Sequence, residues 1–150
     1  MRGQTLLLSV LLGASSMLPS CRPSRTPDQS IAALKDPSED TRQSAADELR
    51  TDEGVPPNAV QPLLDAYKTE QVPKVRGAIL ITLGRSGRPE AKPVIDDAVQ
   101  RAADKDSRRW AARALKYWMI QTGKLSETYQ FPDGWPYGQP GYPQKLPEGS

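Results

Sequence analysis

The chain has 150 residues, with 20 Lys+Arg against 18 Asp+Glu, a single cysteine and no histidine. Without histidine there is no imidazole general base and no histidine-containing metal cluster. One cysteine rules out an internal disulfide, and so small a charge excess gives no global field for nucleic acid.

The first twenty residues read as an address. Met1 and Arg2 form a short, minimally positive start, Leu6 to Ala14 an apolar run, and Ser15 to Ser20 a small or apolar stretch. The strongly apolar core is well short of the roughly 20 residues that span a bilayer. Leu18-Pro19-Ser20-Cys21 then places the only cysteine directly after this run. The segment resembles a bacterial lipoprotein signal peptide, with Leu18 three before the cysteine and the small Ser20 just before it. The resemblance implies cleavage before Cys21, acylation of Cys21 and export. With Arg22 rather than aspartate following, it implies outer-membrane residence in a didermal bacterium, facing the periplasm or the cell surface. Residue by residue, two other readings stay open: an incidental cysteine in an ordinary secreted protein, and a buried or catalytic thiol. The second lacks any histidine to activate a thiolate.

Residues 21–29 are polar and proline-containing, a short tether. From residue 30 to 122 the chain becomes alanine-, leucine- and charge-rich, and it repeats. Arg42, Arg76 and Arg108 each precede small or apolar residues three and four later and a leucine seven later: Ala45, Ala46 and Leu49; Ile79, Leu80 and Leu83; Ala111, Ala112 and Leu115. Those offsets share one helical face. Each window follows a second helix candidate. Ser30 is positioned to cap a short helix carrying Ile31 and Leu34. Val60, Leu63, Leu64 and Tyr67 form one apolar stripe, and Val94, Ile95, Ala98, Val99 and Ala102 another. The predicted pairs are 31–35 with 41–50, 59–70 with 73–83, and 92–103 with 107–121, with Gly54, Gly84 and Gly87 between elements.

This middle resembles HEAT repeats of the short bacterial kind, whose second helix reads Val-Arg-x-x-Ala-x-x-Ala-Leu. Val75-Arg76 with Ile79, Leu80 and Leu83 is the best match. The resemblance implies an all-α, three-repeat solenoid of antiparallel helix pairs. In the family, an acidic loop residue and the arginine help tie adjacent repeats. That implies interface roles for Asp40 with Arg42 and Asp106 with Arg108, and for Arg76 with only Glu70 and Gln71 before Pro73.

Residues 123–150 are a Pro/Gly/aromatic tail, with five prolines and four glycines after Gln130. No regular helix survives that density. Tyr129, Phe131, Trp135, Tyr137 and Tyr142 suit an irregular cap over the last helix, a ligand-binding tail, or an unstructured one.

Catalytic constellations are absent from the pattern. Asp96 and Asp97 diverge on a helix, and Asp104 and Asp106 flank Lys105 in a loop too poor in ligands for calcium. Gly84-Arg85-Ser86-Gly87-Arg88 reads as an inter-repeat turn. The asymmetric feature is the last helix: Arg109, Arg113 and Lys116 share a face, edged by Trp110 and Tyr117, a surface fit for an acidic protein or an anionic membrane. The expected function is a lipid-anchored, non-enzymatic scaffold of the cell envelope. It needs no cofactor or nucleic acid and binds an unidentified envelope protein. Two alternatives are an accessory module for an enzyme or pigment system, as in repeat proteins similar to phycobilin lyases, and a platform that presents the aromatic tail.

Overall fold

The computed structural model describes residues 25–128, so the leader, Cys21 and the aromatic tail lie outside the described residues. Six α-helices follow one another: α1 (Pro27–Ala33), α2 (Glu39–Glu48), α3 (Val60–Thr69), α4 (Pro73–Ser86), α5 (Lys92–Arg101) and α6 (Lys105–Gln121). There is no strand ladder among the described residues. Neighbours pair as α1/α2, α3/α4 and α5/α6, while the second helices α2, α4 and α6 stack side by side. The result is an all-α solenoid of three helix pairs.

Local chemistry sets the boundaries. Thr26, not Ser30, caps α1 through a capping box with Gln29, and α1 therefore starts inside the stretch assigned to the tether. Ser30 is instead buried in the helix, where its hydroxyl donates to Glu48 at 3.0 Å. Glu48 also receives Arg25 at 3.0 Å, which with Ser30 fastens α1 to α2, and Ser44 of its own helix at 3.0 Å. Burial alone would raise the Glu48 carboxyl, but these three partners outweigh it and hold it below the usual range. Ser38 caps α2 and Asp104 caps α6, so that each helix starts two residues ahead of the start that periodicity suggests. Asp104 and Asp106 are thus a cap and a first-turn residue, not a loop pair. Helices α3 and α5 are each entered through a 3-10 turn, Pro57–Ala59 and Pro89–Ala91, whose last residues Ala59 and Ala91 are fully buried.

The core is the face those spacings predict. Ala45 and Ala46 of α2 with its capping Leu49, Ile79, Leu80 and Leu83 of α4, and Ala111 and Leu115 of α6 are all buried, whereas the predicted Ala112 is only half-buried. They meet Leu63 and Ile95 from α3 and α5, which are completely enclosed. Each such large side chain contributes about 1.5–3 kcal/mol by leaving water. The buried hydroxyl of Thr82 lies 2.8 Å from the Ala46 carbonyl and 2.9 Å from that of Ala78, and accepts from Arg50 at 3.3 Å. That fixes α2 against α4 with no polar atom left bare.

Between α4 and α6 the spacing is set by glycine. Helix α4 does not end at Leu83: it runs through Gly84 to Ser86 and closes on Gly87, which is left-handed at φ 61. A Cβ on Gly77 would stand 2.5 Å from the Trp110 ring, and one on Gly84 would stand 2.3 Å from the Ala114 carbonyl oxygen. Gly77 and Gly84, two turns apart, are the floor on which α6 rests. Past α6, Lys124 donates its N–H to Met119 O at 2.8 Å and Leu125 is buried against the core, which closes part of the C-terminal end.

Because the obstacle at Gly84 is rigid backbone, Gly84→Ala should destabilise the fold by about 1–3 kcal/mol through overpacking. Alanine's higher helix propensity, worth about 1 kcal/mol, acts in the opposite direction. Chemical denaturation of the two proteins measures the balance; a stabilised variant would contradict the close approach of α4 and α6.

Candidate functional site

A shallow groove of about 340 Å³ crosses α2, α4 and α6. From α6 it takes Trp110, Arg113 and Tyr117, and from α4 it takes Lys74 together with the triplet Ala78, Ile81 and Arg85. These two triplets are related by a constant step of 32 residues (110 − 78, 113 − 81, 117 − 85), the same step that separates Arg108 from Arg76. Stacked repeats bring equivalent positions side by side, so one stripe per helix becomes a continuous surface. Of the five residues that the sequence groups on α6, the groove unites Trp110, Arg113 and Tyr117. Arg109 and Lys116 do not line it. Arg109 is largely exposed and sits 3.8 Å from Asp106. The reason is the packing of Trp110 on Gly77, which turns the Trp110 edge of α6 toward α4.

The groove is positive because its cations are unevenly matched. Arg50 is held by Asp47 at 2.6 Å, and Lys74 by Glu39 and Asp40, both at 2.8 Å. Lys74 is accordingly raised above the usual lysine range, first by its hydrogen bond with Asp40. Arg85 and Arg113 have no carboxylate within ion-pairing distance among the described residues. Both converge on Tyr117: the Arg85 guanidinium carbon lies 4.4 Å from the ring centroid, a cation–π distance. The hydrogen bond with Arg85, then the charge of Arg113, holds the Tyr117 phenol below the usual tyrosine range against the opposing effect of burial. Arg85, which the sequence suggests is a turn residue, is therefore a central part of the surface. Its signal was the 32-residue register carried from Tyr117 back onto α4.

The arginines of the repeat occupy one place and do three different things. Arg42 reaches the next repeat: its Nε and Nη2 meet Glu70 Oε2 and Oε1 at 2.6 and 3.1 Å. Its Nη1 donates to the carbonyls of Asp36 and Pro37 in its own loop. Glu70 is 9% exposed, and its Oε1 also accepts the N–H groups of Gln71 and Val72. Arg76 donates Nη1 to Tyr67 O and Glu70 O within its own hairpin, at 2.9 and 2.8 Å. Arg108 donates Nη1 to Ala103 O in its own loop, and its buried Nε has no partner among the described residues.

The expected pairings of Asp40 with Arg42 and Asp106 with Arg108 do not form. Both aspartates sit in the first turn of the arginine's own helix, Asp106 near Arg109 and Asp40 near Lys74. Asp40 still bridges repeats, but through Lys74. The carboxylate that closes the Arg42 contact must come from the loop of the following repeat, and only Glu70 stands there. No group of three or more carboxylate or cysteine side chains able to hold a metal occurs among the described residues.

A family model described as HEAT repeats matches residues 27–116, which includes most of the described chain. No curated protein and no solved structure matches it.

The Arg42–Glu70 contact carries a pH signature. Arg42 chiefly, with the two backbone N–H groups, holds the Glu70 carboxyl below its ordinary 4.5, against the opposing effect of burial. A depressed folded value means that the pair's stabilisation is complete above pH 4.5 and lost as pH falls through the folded value. Glu70→Gln should cost about 1–3 kcal/mol at neutral pH. It should also flatten the acid limb of the stability profile; parallel wild-type and variant profiles below pH 4.5 would contradict the assignment.

Proposed function

The chain belongs to the HEAT-repeat family, and on that premise we propose that it is a lipid-anchored, non-enzymatic interaction module of the bacterial cell envelope. Repeat solenoids of this kind work by displaying surface across stacked helices. The observation that carries the reading is the groove across α2, α4 and α6, in which Arg85 and Arg113 stand beside Trp110 and Tyr117 without carboxylate partners among the described residues. Aromatic and arginine side chains are the residues that most often anchor protein interfaces. Two unneutralised guanidinium groups select an acidic partner surface. Cys21 supports the location: acylation at the Leu18-Pro19-Ser20-Cys21 signature would put the anchor a few residues before Thr26, where α1 is capped. Two or more acyl chains hold a membrane stably, at about 0.8 kcal/mol per buried CH₂.

Two measurements test the two halves separately. In vivo crosslinking through the groove should capture an envelope protein. Arg85→Glu combined with Arg113→Glu should abolish capture while lowering stability by no more than about 1 kcal/mol, the size of the exposed cation–π contact on Tyr117 that is lost. Undiminished capture would dispose of the groove as the docking face. Intact-mass analysis of the membrane fraction should show an acylated protein beginning at Cys21, and Cys21→Ala should abolish both acylation and membrane retention. An unmodified wild-type mass would remove the anchor without touching the groove.

A further inference from the structure

Between the second and third repeats the arginine geometry lacks its carboxylate. Glu70 and Ala102 hold equivalent places, 32 residues apart like Arg76 and Arg108. Each closes its helix in extended backbone, at φ −68, ψ 131 and φ −61, ψ 112. Each gives its N–H to the carbonyl four residues back, Ala66 and Ala98. Arg42 uses Nη1 on its own loop and its Nε/Nη2 edge on Glu70 of the following repeat. Arg76 uses Nη1 in the same way, on Tyr67 O and Glu70 O, and its guanidinium carbon stacks 4.1 Å from the Tyr67 ring centroid. Its Nε/Nη2 edge has no acceptor among the described residues. Where the first interface presents a carboxylate, the second presents the methyl group of Ala102.

Space exists at that point. A cleft of about 390 Å³ opens where α4 faces α5 and the start of α6, with Tyr67, Arg76, Ala102 and Trp110 in its walls. Asp97 and Arg101 also line it, but they pair with each other at 2.6 Å. The cleft is left with one unmatched guanidinium, fixed in direction by two carbonyls and a tyrosine ring. A planar fork held this way fits a carboxylate bidentately. The flanking aromatic faces suit the methylene stem of an acidic side chain.

We propose that this cleft is a carboxylate-binding site that takes a glutamate or aspartate side chain of a partner protein on Arg76, at the place Glu70 fills for Arg42. A carboxylate is favoured over a phosphate group because a single cation is available and the same edge donates to a carboxylate one repeat earlier. The site shares Trp110 with the Arg85/Arg113 groove but draws on a different arginine, and its test uses neither Arg85 nor Arg113.

The experiment follows the Arg76 Nε–H resonance of the full chain during titration with Ala-Glu-Ala blocked at both ends, with blocked Ala-Gln-Ala and sodium chloride as controls. The glutamyl peptide should move the resonance saturably and the controls should not. Ala102→Glu restores a carboxylate at the vacant position while leaving Arg76 in place. It should raise the melting temperature and weaken peptide binding by at least about tenfold, the equivalent of one charge-assisted hydrogen bond. No response of the wild type to the glutamyl peptide, an equal response to Ala-Gln-Ala, or undiminished binding by a folded Ala102→Glu protein would each overturn the proposal. A melting temperature unchanged by Ala102→Glu would overturn the equivalence with Glu70.

Discussion

The architecture depends on how closely α4 and α6 approach. Gly77 and Gly84 remove side chains at the two points where α6 would otherwise be held away, and Trp110 and the Ala114 carbonyl occupy that space. Once α6 lies there, its Trp110–Arg113–Tyr117 stripe is forced alongside Ala78, Ile81 and Arg85. Thr82, on the opposite side of α4, does the equivalent for α2 through the Ala46 carbonyl. Helix α4 is therefore the spine: glycine contact on one side, a buried hydroxyl on the other, and both neighbours placed by it.

Polar ties then differentiate repeats that the apolar core leaves alike. The core is built from the same offsets in each pair and would stack indefinitely. The Arg42–Glu70 contact closes the first interface, whereas Ala102 leaves the second open and the Nε of Arg108 ends the series without a partner among the described residues. A solenoid of three repeats is near the minimum that supports itself, so each of these interfaces bears on the whole. The groove and the cleft share Trp110 in their walls, yet they draw on different arginines. A short stack can in this way offer two chemically distinct surfaces from one repeated pattern.

Much of this was legible in the chain itself. The Arg-x-x-small-small-x-x-Leu windows located α2, α4 and α6, and their apolar offsets are buried except for the half-buried Ala112. The apolar stripes of α3 and α5 were equally clear. Boundaries were less so: the capping box at Thr26 and the cap at Ser38 depend on which hydroxyl meets which N–H. Several nearby residues offered the same chemistry. Gly84 was misleading for a physical reason. Glycine ends helices and also permits close helix contact, and only the position of Ala114 distinguishes the two uses.

By itself the sequence determined the class, the number of repeats, the core face and the basic, aromatic character of α6, because these follow from local periodicity along one helix. The tertiary structure alone decided which charges are matched. Glu70 is 28 residues from Arg42, Asp40 is 34 from Lys74, and Arg85 is 32 from Tyr117. Interactions over such separations depend on how helices are stacked, and glycine and threonine contacts between helices set that stacking. Two arginines alike in sequence can therefore end as a closed tie and an open site.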